Sequence, residues 1–407
     1  MNIAIVTTWF ERGAAYVSKQ YEELLSSEHE VFIYARGGES YAINDPKWDA
    51  DNVHWGKKYP MPNKATYIDE KDFVDWLLKL DIEVVLFNEQ HWWQPILTCK
   101  KMGIKTGAYI DYYTENTIKL FSLYDFLICN TLKHFSAFSW HKQCYYVPWG
   151  TDIDLFKPSQ EQLEENKTSL VFFHSAGMNP FRKGTDFVLE AFKIVKERFE
   201  HCKLVIHSQV DLKESFPHLA NSIDELQKAD RLELIERTVT APGLYYRGDV
   251  YIYPSRLEGL GLTVAEALAC GLPTITVDNA PMNEFIEKPS RVAKVKNLYC
   301  RGDAYYWPMC EVDIPDLALQ MEFFACSVDD IAKFKRQSRE YALTNLDWNK
   351  AAAAVNDAII KSKVICTESA VEALANKQDN IKYPGITRFP KFYSYIYSIS
   401  LFIKKNR

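Results

Sequence analysis

An α/β protein with two parallel-sheet domains is what this sequence predicts, and three observations predict it. Short continuous apolar runs alternate with helical patterns along most of the chain, and strands that are apolar throughout belong to sheets covered on both faces. The 407 residues are long for one core and suit two domains of ordinary size. Residues 250–277 read as strand, glycine-bearing turn, helix and strand joined by short loops. A parallel pair with a crossover helix is the economical form of such a unit.

Composition narrows the partners. The apolar share of 47% and charged share of 25% are a soluble globular balance. A net charge of −6 suggests neither a nucleic acid nor an anionic membrane from the total, so an anionic nucleotide would need local cations and helix ends. Nine cysteines are scattered singly with no C-x-x-C pair, so a reduced, intracellular protein is expected. Met-Asn-Ile-Ala-Ile-Val leads into a strand without a basic segment, so no secretory signal is expected and the cytoplasm is the expected location. No run reaches the roughly 18 to 20 apolar residues a spanning helix needs.

In the first half, apolar runs recur at 3–6, 31–35, 84–87, 107–110, 126–129 and 145–147. Between them Val17, Tyr21, Leu24 and Leu25 share a helical face, as do Phe73, Trp76, Leu77 and Leu80. Residues 1–155 are therefore read as a Rossmann-like domain. Its first strand ends at Thr7-Thr8 and a loop passes through Gly13 into a helix, without the G-x-G-x-x-G spacing of dinucleotide binding. His91, in Asn88-Glu89-Gln90-His91-Trp92-Trp93, follows a strand at its carboxyl end, where α/β sheets place ligands.

The polar run 159–168 reads as a linker. Strands are expected at 170–173, 204–207, 232–235, 250–253 and 274–277. Arg182 and Lys183 precede a helix whose apolar side is Phe187, Val188, Ala191, Phe192 and Val195. Cations suit helix C-termini, so a basic pair at a helix start argues for an anion there. The turn before the helix at about 262–270 holds Glu258, Gly259 and Gly261, and Glu266 follows within that helix. Helix N-termini expose unpaired N–H groups and favour phosphate. A carboxylate at that end stays ionised and accepts hydrogen bonds from hydroxyls.

Glu258-Gly-Leu-Gly-Leu-x-x-x-Glu266, followed by Ala-Leu-Ala-Cys-Gly-Leu-Pro, resembles the E-x7-E signature of retaining GT-B glycosyltransferases of family 4. Val147-Pro-Trp-Gly-Thr-Asp-Ile-Asp-Leu-Phe-Lys-Pro158 is similar to that family's interdomain segment, so its Asp152-x-Asp154 is not taken as a metal site. The likeness is thinnest in the first hundred residues. It implies two Rossmann-like domains facing each other across a cleft that closes on a nucleoside-diphosphate sugar, with no cofactor and no metal. Glu266 is implied to hold the ribose hydroxyls. Glu258 is implied to hold donor-sugar hydroxyls, with the amides of Gly259, Leu260, Gly261 and Leu262 close by. Lys183 and Arg182 stabilise the leaving diphosphate, and Gly13 brings backbone amides near it. Asp111 stands where the family often has a histidine near the acceptor, with His91 a second candidate. Transfer with retained configuration to a glycan or lipid-linked acceptor, in bacterial surface polysaccharide synthesis, is the implied activity. A nucleotide-sugar epimerase and a non-catalytic binding module are the rivals.

The second domain is read as 156–364 and the remainder, 365–407, as a tail. Its end, Phe389 to Arg407, is rich in aromatic and aliphatic residues and finishes Lys-Lys-Asn-Arg. A helix over 385–407 that packs on the first domain is preferred. An interfacial segment on the inner membrane surface is the alternative.

Overall fold

The computed structural model of the chain describes every residue except 38–39, 59–65, 160–168, 383–388 and 406–407. The chain divides into two compact units: Met1–Asn130, His134–Pro148 and Ala352–Arg407 form the first, and Thr131–Lys133 with Trp149–Ala351 form the second. Of the run read as a linker, 160–168 lies outside the described residues. So do 385–388 and 406–407 of the expected terminal helix.

The first unit begins β1 (Asn2–Thr7), α1 (Gly13–Leu25), β2 (Glu30–Ala35), β3 (Val53–Trp55), α2 (Glu70–Lys79), β4 (Val84–Asn88) and α3 (Gln94–Lys101). It continues with β5 (Lys105–Tyr109), β6 (Phe126–Cys129), α4 (Leu132–Phe138) and β7 (Cys144–Tyr146). The strands form one parallel sheet in the order β3-β2-β1-β4-β5-β6-β7. Four apolar residues in a row, closed by Asn88, make β4 wholly buried, as a sheet covered on both faces requires. α1 buries Val17, Tyr21, Leu24 and Leu25 as its periodicity predicts. α2 starts where the Asp69 side chain accepts the Asp72 N–H, one of the donors a helix start leaves unpaired. β3 has no forerunner in the sequence reading, because Val53-His-Trp is three half-exposed residues with no apolar run.

The second unit holds β8 (Leu170–Gly177), α5 (Thr185–Lys196), β9 (Cys202–Ser208), α6 (Leu212–Ser215), α7 (Ala220–Lys228) and β10 (Leu232–Glu236). Then come β11 (Val250–Tyr253), α8 (Leu262–Ala269), β12 (Thr274–Val277), β13 (Arg291–Ala293), β14 (Val295–Tyr299), β15 (Met309–Val312), α9 (Ile314–Ala325) and α10 (Ile331–Asn345). Its parallel sheet runs β10-β9-β8-β11-β12-β13, and β14 and β15 form a separate antiparallel pair. Each sheet reverses strand order beside its first strand, between β1 and β4 and between β8 and β11. α/β sheets bind ligands at such switch points, outside the carboxyl ends of the strands.

The unit boundaries differ from the sequence reading, and specific contacts explain why. Residues 149–155 go with the second unit: the rings of Trp149 and Trp348 meet at a tilt with centroids 4.6 Å apart, and the Thr151 N–H donates to the Leu346 carbonyl at 2.7 Å. Arg339 donates to the carbonyls of Ile153 and Phe156. At the other end α11 (Ala352–Lys361) and α12 (Ser369–Lys382) go with the first unit. Lys105 reaches the Ile359 carbonyl at 2.9 Å, and the Asp379 carboxylate accepts the Trp93 N–H at 3.0 Å. These two helices return the chain to the first unit, to which residues 389–405 belong as well. α13 (Pro390–Lys405) follows them. Among the described residues no helix is long and apolar enough to cross a membrane.

Candidate active site

β8 and β11 lie side by side, and each feeds through a short turn into a helix that opens on a left-handed glycine. Gly184 (φ 72°) caps α5 and Gly261 (φ 76°) caps α8. Non-glycine residues pay about 1–2 kcal/mol in that region. At Gly184 space is short as well, since a Cβ would stand 2.2 Å from the Pro254 carbonyl oxygen. Two helix N-termini thus meet at one switch point, and their exposed N–H ends make it an anion-favouring place.

Glu258 is buried there, and its Oε1 is the hub. Lys183 Nζ and Arg182 both approach it at 2.8 Å, Tyr253 donates its hydroxyl at 2.7 Å and Ser255 at 2.6 Å. Among the described residues every hydrogen bond to this carboxylate falls on Oε1. Four donors exceed the two lone pairs of one oxygen, so some of them are available to a better acceptor. Burial works against the charge of Glu258, but Arg182 and then Lys183 outweigh it and hold the carboxyl well below the usual range. Burial pushes the Lys183 ammonium down, to about 8; Glu258 opposes this and Arg182 adds to it. The two shifts have different causes: burial, helped by Arg182, lowers Lys183, whereas the two cations together lower Glu258.

Glu266 projects from α8 and its Oε2 accepts the Tyr245 hydroxyl at 2.5 Å. Burial raises its carboxyl above the ordinary value, with the Tyr245 hydrogen bond and Lys183 pulling the other way. Leu260 is buried, and the turn residues Gly259 and Gly261 leave the α8 amides approachable. Arg182, Lys183, Glu258, Gly259, Leu260, Gly261, Leu262 and Glu266 therefore fall in one place in the second unit.

The remaining candidates lie in the first unit, at the carboxyl ends of its strands. Gly13 is exposed and opens α1, whose first turn carries no acid. His91 follows β4, and its ring meets Tyr112 edge-on at 5.0 Å. Asp111 follows β5 and is half-buried. Asp152, of the Asp-x-Asp pair, accepts the N–H groups of Asp154 and Leu155, so it closes a turn.

Several participants were not anticipated. Tyr253, Tyr245 and Ser255 read as strand or loop residues, although a hydroxyl at the end of an apolar strand is a signal of a polar task. His174 is buried in β8 between the Ile252 carbonyl and Thr185 Oγ1, both at 2.8 Å. A carbonyl only accepts, so Nδ1 carries the proton and Thr185 donates to Nε2. Burial lowers His174 to about 4, so it is neutral near pH 7 and ties β8, β11 and α5 together. Arg256 forks onto Asp186 at 2.8 and 2.6 Å, sandwiched between Phe181 and Phe187 at 4.0 and 3.8 Å. Its N–H also donates to the Arg182 carbonyl at 2.8 Å.

Two doubly wound parallel sheets, one carrying paired acids and a basic couple at its switch point, define a GT-B protein. Solved structures agree on that fold: HepE of Anabaena, in complex with UDP and glucose, covers 89% of this chain and 100% of its own, with TM-score 0.66 at 12% identity. Residues 156–295 match the sequence model described as glycosyl transferases group 1. A glycosyltransferase of Haemophilus influenzae is 31% identical over 117 residues, 29% of this chain and 31% of its own length. The lipopolysaccharide core biosynthesis mannosyltransferase LpsB of Rhizobium meliloti is 26% identical over 148 residues, 34% of this chain and 41% of its own. The matched stretches thus span about a third to two fifths of these relatives.

Proposed function

We propose that this chain is a family 4 enzyme that transfers a sugar, with retention of configuration and without a metal, from a nucleoside-diphosphate sugar to a glycan or lipid-linked hydroxyl. The observation that carries the reading is the convergence of Lys183 and Arg182 on Glu258 Oε1 between two helix N-termini. When a diphosphate arrives, the cations turn part of their hydrogen bonding to it and neutralise the charge that grows as the sugar–phosphate bond breaks. Glu258, through Oε2, accepts from a hydroxyl of the donor sugar. Glu266, held on one side by Tyr245, accepts from the ribose. The acceptor oxygen bonds to the anomeric carbon on the face the phosphate leaves, and its proton passes to the departing phosphate, so no enzymic nucleophile is used. Gly13, Asp111 and His91 are assigned to the donor phosphates and the acceptor from the first unit. The name of the R. meliloti relative supports a bacterial surface polysaccharide pathway at the cytoplasmic membrane face, and the UDP-bound structure supports a nucleotide donor.

A thermal-shift panel of UDP, GDP, ADP and their sugars tests this reading. One base is expected to raise the melting temperature, and the matching sugar nucleotide should release its diphosphate only with an acceptor. Stabilisation by none of them would sink the proposal, and an epimer formed from donor alone would replace transfer by epimerisation. Glu266→Ala is expected to weaken that nucleotide by about 10- to 100-fold, the worth of a charge-assisted hydrogen bond. Unchanged affinity by calorimetry would remove Glu266 from the ribose.

The site also predicts a proton linkage. Lys183 is lowered to about 8 in the unliganded protein, and an anion beside it favours its charged form. Binding must therefore raise its pKa, and protons are taken up when nucleotide binds at pH values above about 8. Diphosphate affinity should fall as pH rises past that point. Calorimetry in buffers of different ionisation enthalpy reads the uptake. Equal uptake by Lys183→Met would show that another group is responsible.

A further inference from the structure

The terminal helix α13 carries a feature the transfer chemistry does not use. Phe392, Tyr395, Ile396, Ile399, Phe402 and Ile403 are each between 44 and 70% exposed. At about 100° per residue these six fall within an arc of about 120°, one continuous apolar face on a helix of 16 residues. Charge accompanies it. From Asn380 to Arg407 the sequence has Lys382, Arg388, Lys391, Lys404, Lys405 and Arg407 and not one Asp or Glu, although the whole chain has a net charge of −6. On the helix itself Lys391 stands in the first turn and Lys404 with Lys405 in the last.

We propose that α13 lies in the surface of an anionic lipid bilayer, its apolar face among the acyl chains and its lysines at the headgroups. This names the segment and lipid chemistry for the membrane-face location proposed above, and rests on that reading only for why an enzyme would sit there. Three arguments favour lipid over a second copy of the chain. At about 1.5 Å per residue the helix is roughly 24 Å long, too short to span yet ample to lie in the interface. Two heptads are fewer than the three or four that sustain a coiled coil. Pairing two such helices would also crowd cations with no carboxylate between them, whereas an anionic surface gains about 1 kcal/mol from each nearby Lys or Arg. Tyr395 on the apolar arc suits the headgroup level, and Phe392 and Phe402 suit the boundary with the acyl chains.

Flotation of the full chain with vesicles of phosphatidylcholine alone, or with an equal part of phosphatidylglycerol, tests this. The wild type should float with the anionic vesicles only, and less in high salt. The pair Phe392→Asp with Phe402→Asp, and the pair Lys391→Glu with Lys405→Glu, should each bind at least about tenfold more weakly. Both pairs should keep the wild-type nucleotide thermal shift, since α13 belongs to the first unit. The proposal is overturned if the wild type stays soluble with anionic vesicles, or if both pairs float equally well. A dimer in light scattering that the Phe pair breaks, without vesicle binding, would assign the face to self-association instead. If no nucleotide shifts any of the proteins, the transfer reading fails while flotation still decides this one.

Discussion

Glu258→Gln is expected to lower kcat/KM for transfer by about a thousandfold while nucleotide binding survives. The amide keeps the size of the carboxylate and removes its charge. Lys183 and Arg182, whose side chains are 14% and 32% exposed, then face each other without the anion that joins them. Breaking a buried ion pair from one side costs about 3–5 kcal/mol, and water reaching Arg182 places this case near the lower figure. For a protein of this size that is a fall of several degrees in melting temperature. Added nucleoside diphosphate should restore more stability in the variant than in the wild type, because its phosphates supply the missing negative charge. The rate loss follows from the other role proposed for Glu258, orienting a sugar hydroxyl, since misplaced preorganised polar groups cost about 100- to 1000-fold each. Transfer within tenfold of wild type would remove Glu258 from the reaction.

The second large effect is expected at Gly184. Gly184→Ala must place a Cβ 2.2 Å from the Pro254 carbonyl oxygen on a backbone at φ 72°. The opposing atom is main chain, so no side-chain rotation relieves the clash. The left-handed conformation alone costs about 1–2 kcal/mol, and the displaced turn brings the total to roughly 3 kcal/mol or more. Since Lys183 is the preceding residue, transfer should fall as well. Gly261→Ala is the control: its φ is 76°, but the nearest atoms to a new Cβ are Met282 and Phe285 at 3.8 and 3.9 Å. Only the conformational cost of about 1–2 kcal/mol applies there. Chemical denaturation of both variants decides the matter, and equal losses would show that the Pro254 contact contributes nothing.

Why part of this site was legible and part was not has a physical explanation. Glu258, Gly261 and Glu266 lie on one strand–turn–helix unit, and Lys183 and Gly184 on another, so their spacing is local and survives in the linear sequence. β11 and β12 also fell where the apolar runs put them, because both strands are buried on every side. His174, Tyr253 and Ser255 sit in or beside strands, where they read as core, and their partners lie up to 78 residues away. Arg256 gives no signal in the linear sequence because its partner Asp186 is 70 residues distant. β14 was invisible for another reason: Val295-Lys-Asn-Leu-Tyr is largely exposed and has no apolar run to announce a strand.

The fork of Arg256 onto Asp186, held between two phenylalanine rings, has a mechanical consequence. The strap bearing the basic couple and the strap bearing Glu258 are cross-braced, so neither can fray without dragging the other. Thermal breathing that opened one side alone would strip an arginine of its counter-ion in a greasy slot. The two turns are consequently riveted together at this one point of the second unit.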